Sequence, residues 1–554
     1  MRLRTVAVPL VALGLVLSSC SSDTVAPVGP SSFGSIDINP KDPSELADGG
    51  NLRLSLASFP ANFNRLSNDG NDHDVTSVIT PTLPSAYFAN PDGTLTLNTD
   101  YFTSIELTSK DPQVVTYTIN PKAVWTDGSP ITWEDLQSQA EAMSGRNKEF
   151  LIAGNSGFDR VAKVEKGVDD RQAVLTFSEH FADWKGQYLP LYPKSATATP
   201  EAFNTGLLDN LPISSGPFKI DSIDKGQQRV VLARNPLWWG AKPKLDKITF
   251  IALADDAVLP ALQNNEIDAS DDLVTIDQLK TAQSARNVVI RRAPNLIFSH
   301  ITFNGASGSV LADPKLRLAI AKAIDRKGIA TAIENGLTDN PAPLDNHIYL
   351  NGQEGYQDNS SPIRFDPDKA AQELDDLGWK LVDGVRQKDG KVLEIRDVFY
   401  NTDKWTKIGQ IVQNNLSAVG VKVVLQPQPG NNYFTDVVQP GHFDIVQFSW
   451  VGNVFPFDGL KQIYSYDPDD LQGNYGRIGS PELNDLIDRT YSELDEAKAR
   501  ELANEVDRKV FEEGFSLPLY QWSGNRAVRD NVANYGAFGL TWPFIDYTKI
   551  GFVK

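Results

Sequence analysis

The sequence predicts a mixed α/β (α+β) fold of more than one domain. Apolar residues recur with helical spacing in some stretches and with strand alternation in others, and the two kinds follow one another along the chain. The helical stretches carry their own start and stop residues. The length, 554 residues, is enough for a sizeable core and more than one domain.

The N-terminus comes first. Arg2 and Arg4 precede an apolar stretch at 6–17 that Pro9 interrupts. About a dozen apolar residues behind a basic start are too few to span a bilayer and read as an export signal. Leu17-Ser18-Ser19-Cys20 follows, and Cys20 is the only cysteine of the chain. The segment resembles a bacterial lipobox, with residues 1–19 as the leader and the Cys20 thiol as the lipidation site. The alternative is a plain secretory signal with an unconnected cysteine. It fits less well, because exported chains usually carry cysteines in pairs. Residues 20–50 are rich in Ser, Pro, Gly and Asp and read as a flexible tether. No later stretch reaches 18 uninterrupted apolar residues, so no transmembrane helix is expected.

Within the body, "QVVTYTI" alternates Val115, Tyr117 and Ile119 with threonines, as a half-buried strand does. Thr132 follows as a helix N-cap, with Glu134 and Asp135 in the first turn. "DPKLRLAIAKAID" has Asp313 as cap, Pro314 at the first helical position and Leu316, Ala319, Ile320, Ala323 and Ile324 on one face. "DPDKAAQELDDLG" starts at Asp366-Pro367 and stops at Gly378. "KIGQIVQNNLSAVG" stops at Gly420 and runs straight into the strand "VKVVL". "SPELNDLIDRTYSEL" opens on Ser480-Pro481, and a further helix is expected over about 495–513.

The formal charge is −19, which argues against nucleic acid and against a basic membrane-binding face. The five histidines, His73, His180, His300, His347 and His442, show no metal-ligand spacing. "NDGNDHD" (68–74) is dense in oxygen ligands but lacks the closing Glu of an EF-hand loop, so a solvated turn is expected. Asp255-Asp256 is an adjacent pair of the kind common in acidic chains. No Gly-x-Ser-x-Gly, no thiol nucleophile in the body and no P-loop occurs, so neither an enzyme nor ATP use by this chain is expected. No cofactor and no metal are expected.

Taken in order, the blocks resemble one family, the extracellular solute-binding proteins of peptide/nickel-type ABC importers (family 5). They are "YTINPKAVWTDGSPITWEDL", "PISSGPFKIDSIDKGQQRVVLARNPLWWGAKPKLDKITF", "LQNNEIDA", "DPKLRLAIAKAIDRKGI", "FDPDKAAQELDDLGW" and "GSPELNDLIDRTYSEL" with the later "SLPLYQ". The resemblance covers about 51–521 and implies a two-lobed periplasmic-binding-protein-like fold with an extra subdomain. Lobe I would be 51–300 plus 519–554, with a variable subdomain near 86–204, and lobe II would be 303–518. The chain would cross between lobes near "HITFN" and "SLPLYQ", making a hinge. The function implied is a monomeric, lipid-anchored receptor facing the periplasm or cell exterior. It would capture oligopeptides or similar polar solutes by lobe closure and deliver them to a membrane permease with its ATPases. A regulatory envelope lipoprotein that kept the fold and lost transport is the alternative.

Relatives that bind peptides carry a Trp-x-x-Asp segment whose carboxylate pairs with the peptide ammonium. The corresponding stretch here, "FDIVQFSWVGNVFPFDGL", has Trp450 but Asn453 at the carboxylate position, with Asp458 as a substitute five residues on. An amide brings no charge, and a hydrogen bond to a charged partner contributes about 1.5–3 kcal/mol against about 0.5–1.5 for a neutral one. Further ligand contacts implied by matching are Ser58 and Phe59 after the first strand, and Tyr400, Asn401 and Trp405 in lobe II. Each aromatic serves core packing equally well. Trp238 and Trp239 are assigned to the scaffold.

Overall fold

The computed structural model describes residues 36–430, 432–457 and 459–554. The leader, Cys20 and Asp458 lie outside the described residues.

Two large sheets carry the fold. The first has seven strands, in the spatial order Val288–Arg292, Asn525–Arg529, Ala269–Leu273, Asn51–Leu56, Lys247–Ala252, Arg229–Arg234 and Phe218–Asp224. "NLRLSL" places Leu52, Leu54 and Leu56 on its buried face, the alternation a half-buried strand requires. It runs parallel to both neighbours, Lys247–Ala252 and Ala269–Leu273. The second sheet has five strands: Lys422–Gln428, Glu394–Tyr400, Ile445–Val451, Ile297–Phe303 and Ser516–Gln521. Each large sheet anchors one lobe. A four-stranded sheet, Phe102–Lys110, Gln113–Ile119, Gln172–Phe177 and Val161–Lys166, forms the subdomain and packs against helix Trp133–Met143.

Local chemistry explains the helices. Thr132 and Asp135 form a capping box at the start of Trp133–Met143. Asp313, Asp366 and Ser480 cap Pro314–Lys322, Pro367–Asp376 and Pro481–Ser492, each with proline in the first turn. Helix Asp403–Ala418 is followed by Gly420 at φ +82°, which lets the chain reverse into Lys422–Gln428.

The passage between the sheets falls a few residues away from where the sequence puts it. His300 and Thr302 lie mid-strand in the five-stranded sheet, so the chain crosses at 293–296 rather than at 300–303. The return is at 522–524 rather than at 518–519. The two crossings run side by side: Asn295 N–H donates to Trp522 O at 3.0 Å, and Trp522 N–H to Ile297 O at 2.9 Å. Gly524, at φ +57°, is required here, because a Cβ would lie 2.0 Å from Ala293 O.

The tether reading also needs correction over its second half. Asp37 bridges to Ala537 and pairs with Arg291 at 3.0 Å, and Leu46 is fully buried and bridges to Val553. Composition suggested a leash; partners about 200 to 500 positions away hold 36–50 against the body, and composition carries no trace of them.

Candidate ligand-binding site

A cavity of about 480 Å³ lies where the lobes face each other. Lobe I supplies helix His73–Ile79, the hairpin Tyr87–Ala89/Leu95–Leu97, residues 98–101, Trp238 and the C-terminal stretch 542–548. Lobe II supplies Val451, Gly452, Asn453 and Phe455, and the crossing supplies Leu296.

Each lobe I group is placed by a nameable local device. Asp72 caps the helix, accepting from Asp74 N at 2.7 Å, so "NDGNDHD" ends as a helix cap. Asn98 holds its turn through its side-chain oxygen, which accepts from Asp100 N at 3.3 Å. Trp239 Nε1 donates to Asp100 O at 2.7 Å and fixes the Asp100 backbone. Gly240 then lets the Asp100 carboxyl and the Trp238 indole crowd together: a Cβ there would be 2.9 Å from Asp100 Cγ and 2.6 Å from Trp238 Cζ2. Trp542 stacks on His73 at 4.4 Å and 12°.

The electrostatics are uneven. Burial raises Asp100 above the usual carboxylate value, and the neighbouring Asp546 pushes it further up, against a smaller opposing pull from Lys549. Asp546 itself is satisfied, accepting from Thr548 N at 3.0 Å and Oγ1 at 2.6 Å and pairing with Lys549 at 3.0 Å. Burial lowers the His73 imidazole, but Asp74 and Asp271 outweigh it and the net shift is upward. Burial alone raises the Tyr87 phenol.

The residues expected from sequence scatter around this cavity. Asn453 lines it, but its Oδ1 already accepts from Phe455 N at 2.5 Å and its carbonyl from Gln353 Nε2 at 2.9 Å. Trp450 does not line it. Adjacent strand residues face opposite ways, so Val451 meets the cavity while Trp450 stacks on His300 (5.9 Å) and Tyr475 (6.0 Å). Ser58 lies outside, with N–H and Oγ both donating to Asp74 Oδ2 at 2.6 and 2.9 Å. Phe59 packs half-buried on the core. Tyr400 packs against Tyr433 at 4.0 Å, and Asn401 N–H donates to Gln428 O in a turn. Trp405 is a core residue, 6% exposed, with Lys404 held between it and Trp522. The cavity thus uses Tyr87, Asn98, Asp100 and Trp542, which sequence reasoning missed. None lies in a spaced motif. Trp238, assigned to the scaffold, lines the cavity as well, whereas Trp239 is scaffold.

Contacts at the rim join the subdomain to lobe II. Asp183 accepts from Phe457 N at 2.8 Å, and Ala182 N–H donates to Tyr491 O at 2.9 Å. Arg160, buried in the subdomain, reaches Ser492 Oγ at 2.9 Å and lies 4.5 Å from the Tyr491 ring centre.

The family described as bacterial extracellular solute-binding proteins, family 5 Middle, matches residues 96–470. The chain belongs to this family. It is 52% identical to the oligopeptide-binding protein OppA of Mycobacterium tuberculosis, over 99% of this chain and 93% of that protein. Among solved structures it is similar to the periplasmic EDTA-binding protein EppA, with a TM-score of 0.86 and 26% identity, over 95% of this chain and all of the other. The oligopeptide-binding protein AppA of Bacillus subtilis, in complex with a nonapeptide, shares the fold, with a TM-score of 0.75 and 21% identity over 92% of this chain. Among the described residues, no helix of this family 5 protein is long and apolar enough to cross a membrane.

Proposed function

We propose that this solute-binding protein captures oligopeptides, or polar organic solutes of similar size, in the inter-lobe cavity and passes them to an ABC permease. The cavity carries the reading: about 480 Å³, walled by both lobes, within the range of small-ligand sites. A ligand touching both walls stabilises the closed arrangement and shifts the population toward it. The rim contacts of Arg160, Ala182 and Asp183 with 457 and 491–492 belong to that arrangement. The 52% identity to OppA supports a peptide as cargo. In this reading Cys20 carries the lipid anchor, the protein faces the periplasm or cell exterior, and no chemical step occurs on the ligand.

The test is native mass spectrometry of residues 21–554 purified gently from the host, followed by titration with short peptides. A co-purifying peptide released on denaturation, or micromolar binding of a synthetic one, is expected. An empty protein that binds no member of a peptide and metabolite panel overturns the reading and shifts weight to the non-transport lipoprotein.

A further inference from the structure

The family's carboxylate is missing at 453, yet the cavity holds another on the opposite wall. Asp100 lines the cavity, and among the described residues no cation pairs with its carboxylate. Lys549 is engaged by Asp546 at 3.0 Å, and Arg65 Nε donates to Thr76 Oγ1 at 2.8 Å. A half-buried carboxylate with a second one nearby, and only a more distant Lys549 already paired with Asp546 to offset them, is unfavourable in the empty protein. Such a group is characteristic of a binding site awaiting its partner.

A second, independent feature points to a ligand at the same place. Tyr87 is 6% exposed and Asn98 5% exposed, and both line the cavity. The Tyr87 phenol and the Asn98 amide nitrogen have no hydrogen-bond partner among the described residues. Polar groups on nearly buried side chains that line a cavity find their partners in what fills it. Beside them the Trp238 indole and the Asp100 carboxyl both pack against Gly240 and both line the cavity. A carboxylate next to an indole suits an ammonium or guanidinium, through charge pairing and the ring's quadrupole.

We propose that Asp100 anchors a positively charged group of the ligand on the cavity wall that it shares with Trp238, with Tyr87 and Asn98 bonding neighbouring polar atoms. This rests on reading the cavity as the cargo site. The cation is the α-ammonium of a peptide or the side chain of Arg or Lys, and the probes below separate the two.

The experiment titrates residues 21–554 with four pentapeptides of sequence Ala-Ala-X-Ala-Ala. X is arginine or its neutral isostere citrulline, and the N-terminus is free or acetylated. With every probe amidated at its C-terminus, wild type is expected to bind the probe that has neither cation at least about tenfold more weakly than the one that has both. Whichever single change causes the loss names the cation. Asp100→Asn, with an unchanged fold by thermal melt, is expected to bring all four probes within about twofold. Asp100→Glu is expected to restore discrimination. Equal binding of all four by wild type, or an equal loss for all four in Asp100→Asn, overturns the subsite and leaves the peptide receptor standing. If no pentapeptide binds wild type, the peptide reading fails and agmatine decides the subsite alone. A rise in melting temperature with agmatine that Asp100→Asn abolishes supports it, and no rise overturns it.

Discussion

The lobe I wall of the cavity presents Tyr87, Asn98, Asp100 and Trp238, whereas the lobe II wall presents Val451, Gly452, Phe455 and an Asn453 already bonded to Phe455 and Gln353. The lobe I wall sets its few unpartnered polar groups among apolar residues such as Ile79, Leu83 and Phe544, whereas the lobe II residues are apolar or internally satisfied. The difference assigns discrimination to lobe I and closure to lobe II.

The largest test of this contrast is Trp542→Ala, which removes a lobe I ring stacked on His73. Affinity for every pentapeptide is expected to fall by about tenfold or more, since a central aromatic anchor commonly contributes over 1 kcal/mol. Titration calorimetry measures it, and a loss smaller than that of the closure variants below would reverse the assignment of the walls.

Arg160→Gln comes next. It removes the bond to Ser492, the contact with the Tyr491 ring and the pair with Asp488, which join the subdomain to lobe II at the rim and touch no part of the cavity lining. Affinity is expected to drop about fivefold and equally for charged and neutral probes. A selective loss for charged probes would place discrimination at the rim instead.

A pH series sharpens the role of Asp100. Its folded-state value is raised above 3.8 by burial and by Asp546, so affinity for charged probes is expected to fall at a pH above that of an ordinary aspartate. Asp72 and Asp546 face the same cavity, and His73, itself raised, adds positive charge as pH drops. The sign for the empty protein is opposite. An acid raised on folding stabilises the fold below its unfolded value, and that contribution is lost as pH rises through its folded value. Asp100→Asn is therefore expected to melt slightly above wild type near neutrality and to lose that advantage below pH 3.8. Melting curves across pH check this, and a variant that melts lower at neutrality contradicts the unpaired carboxylate.

The smallest expected effect is that of Asn453→Asp. A carboxylate at 453 keeps accepting from Phe455 N, so affinity for the free-amine probe is expected to rise by less than about threefold. A tenfold rise would show that the ligand's ammonium reaches the lobe II wall.

Much of the architecture was legible in sequence because its causes are local. Caps at Thr132, Asp366 and Ser480, and the stop at Gly420, act within one helical turn of where they are read. The order of blocks from "YTINPKAVWTDG" to "SLPLYQ" pointed to the family, and with it to two lobes. The site was less legible. Trp450 stands in a stretch that matches its relatives, but Val451, one residue on, faces the cavity, and a match of residues does not report the face.

By itself, then, the sequence determined the elements, their order and the family, since periodicity, capping and motif order are properties of neighbours in the chain. Only the tertiary structure decided which residues meet in the cavity. Asp100, Trp238 and Trp542 come together across more than 400 positions because Trp239 pins the Asp100 backbone, Gly240 leaves room for its carboxyl, and the C-terminal stretch folds back over helix His73–Ile79. Those are contacts at a distance, which no local pattern in the chain records.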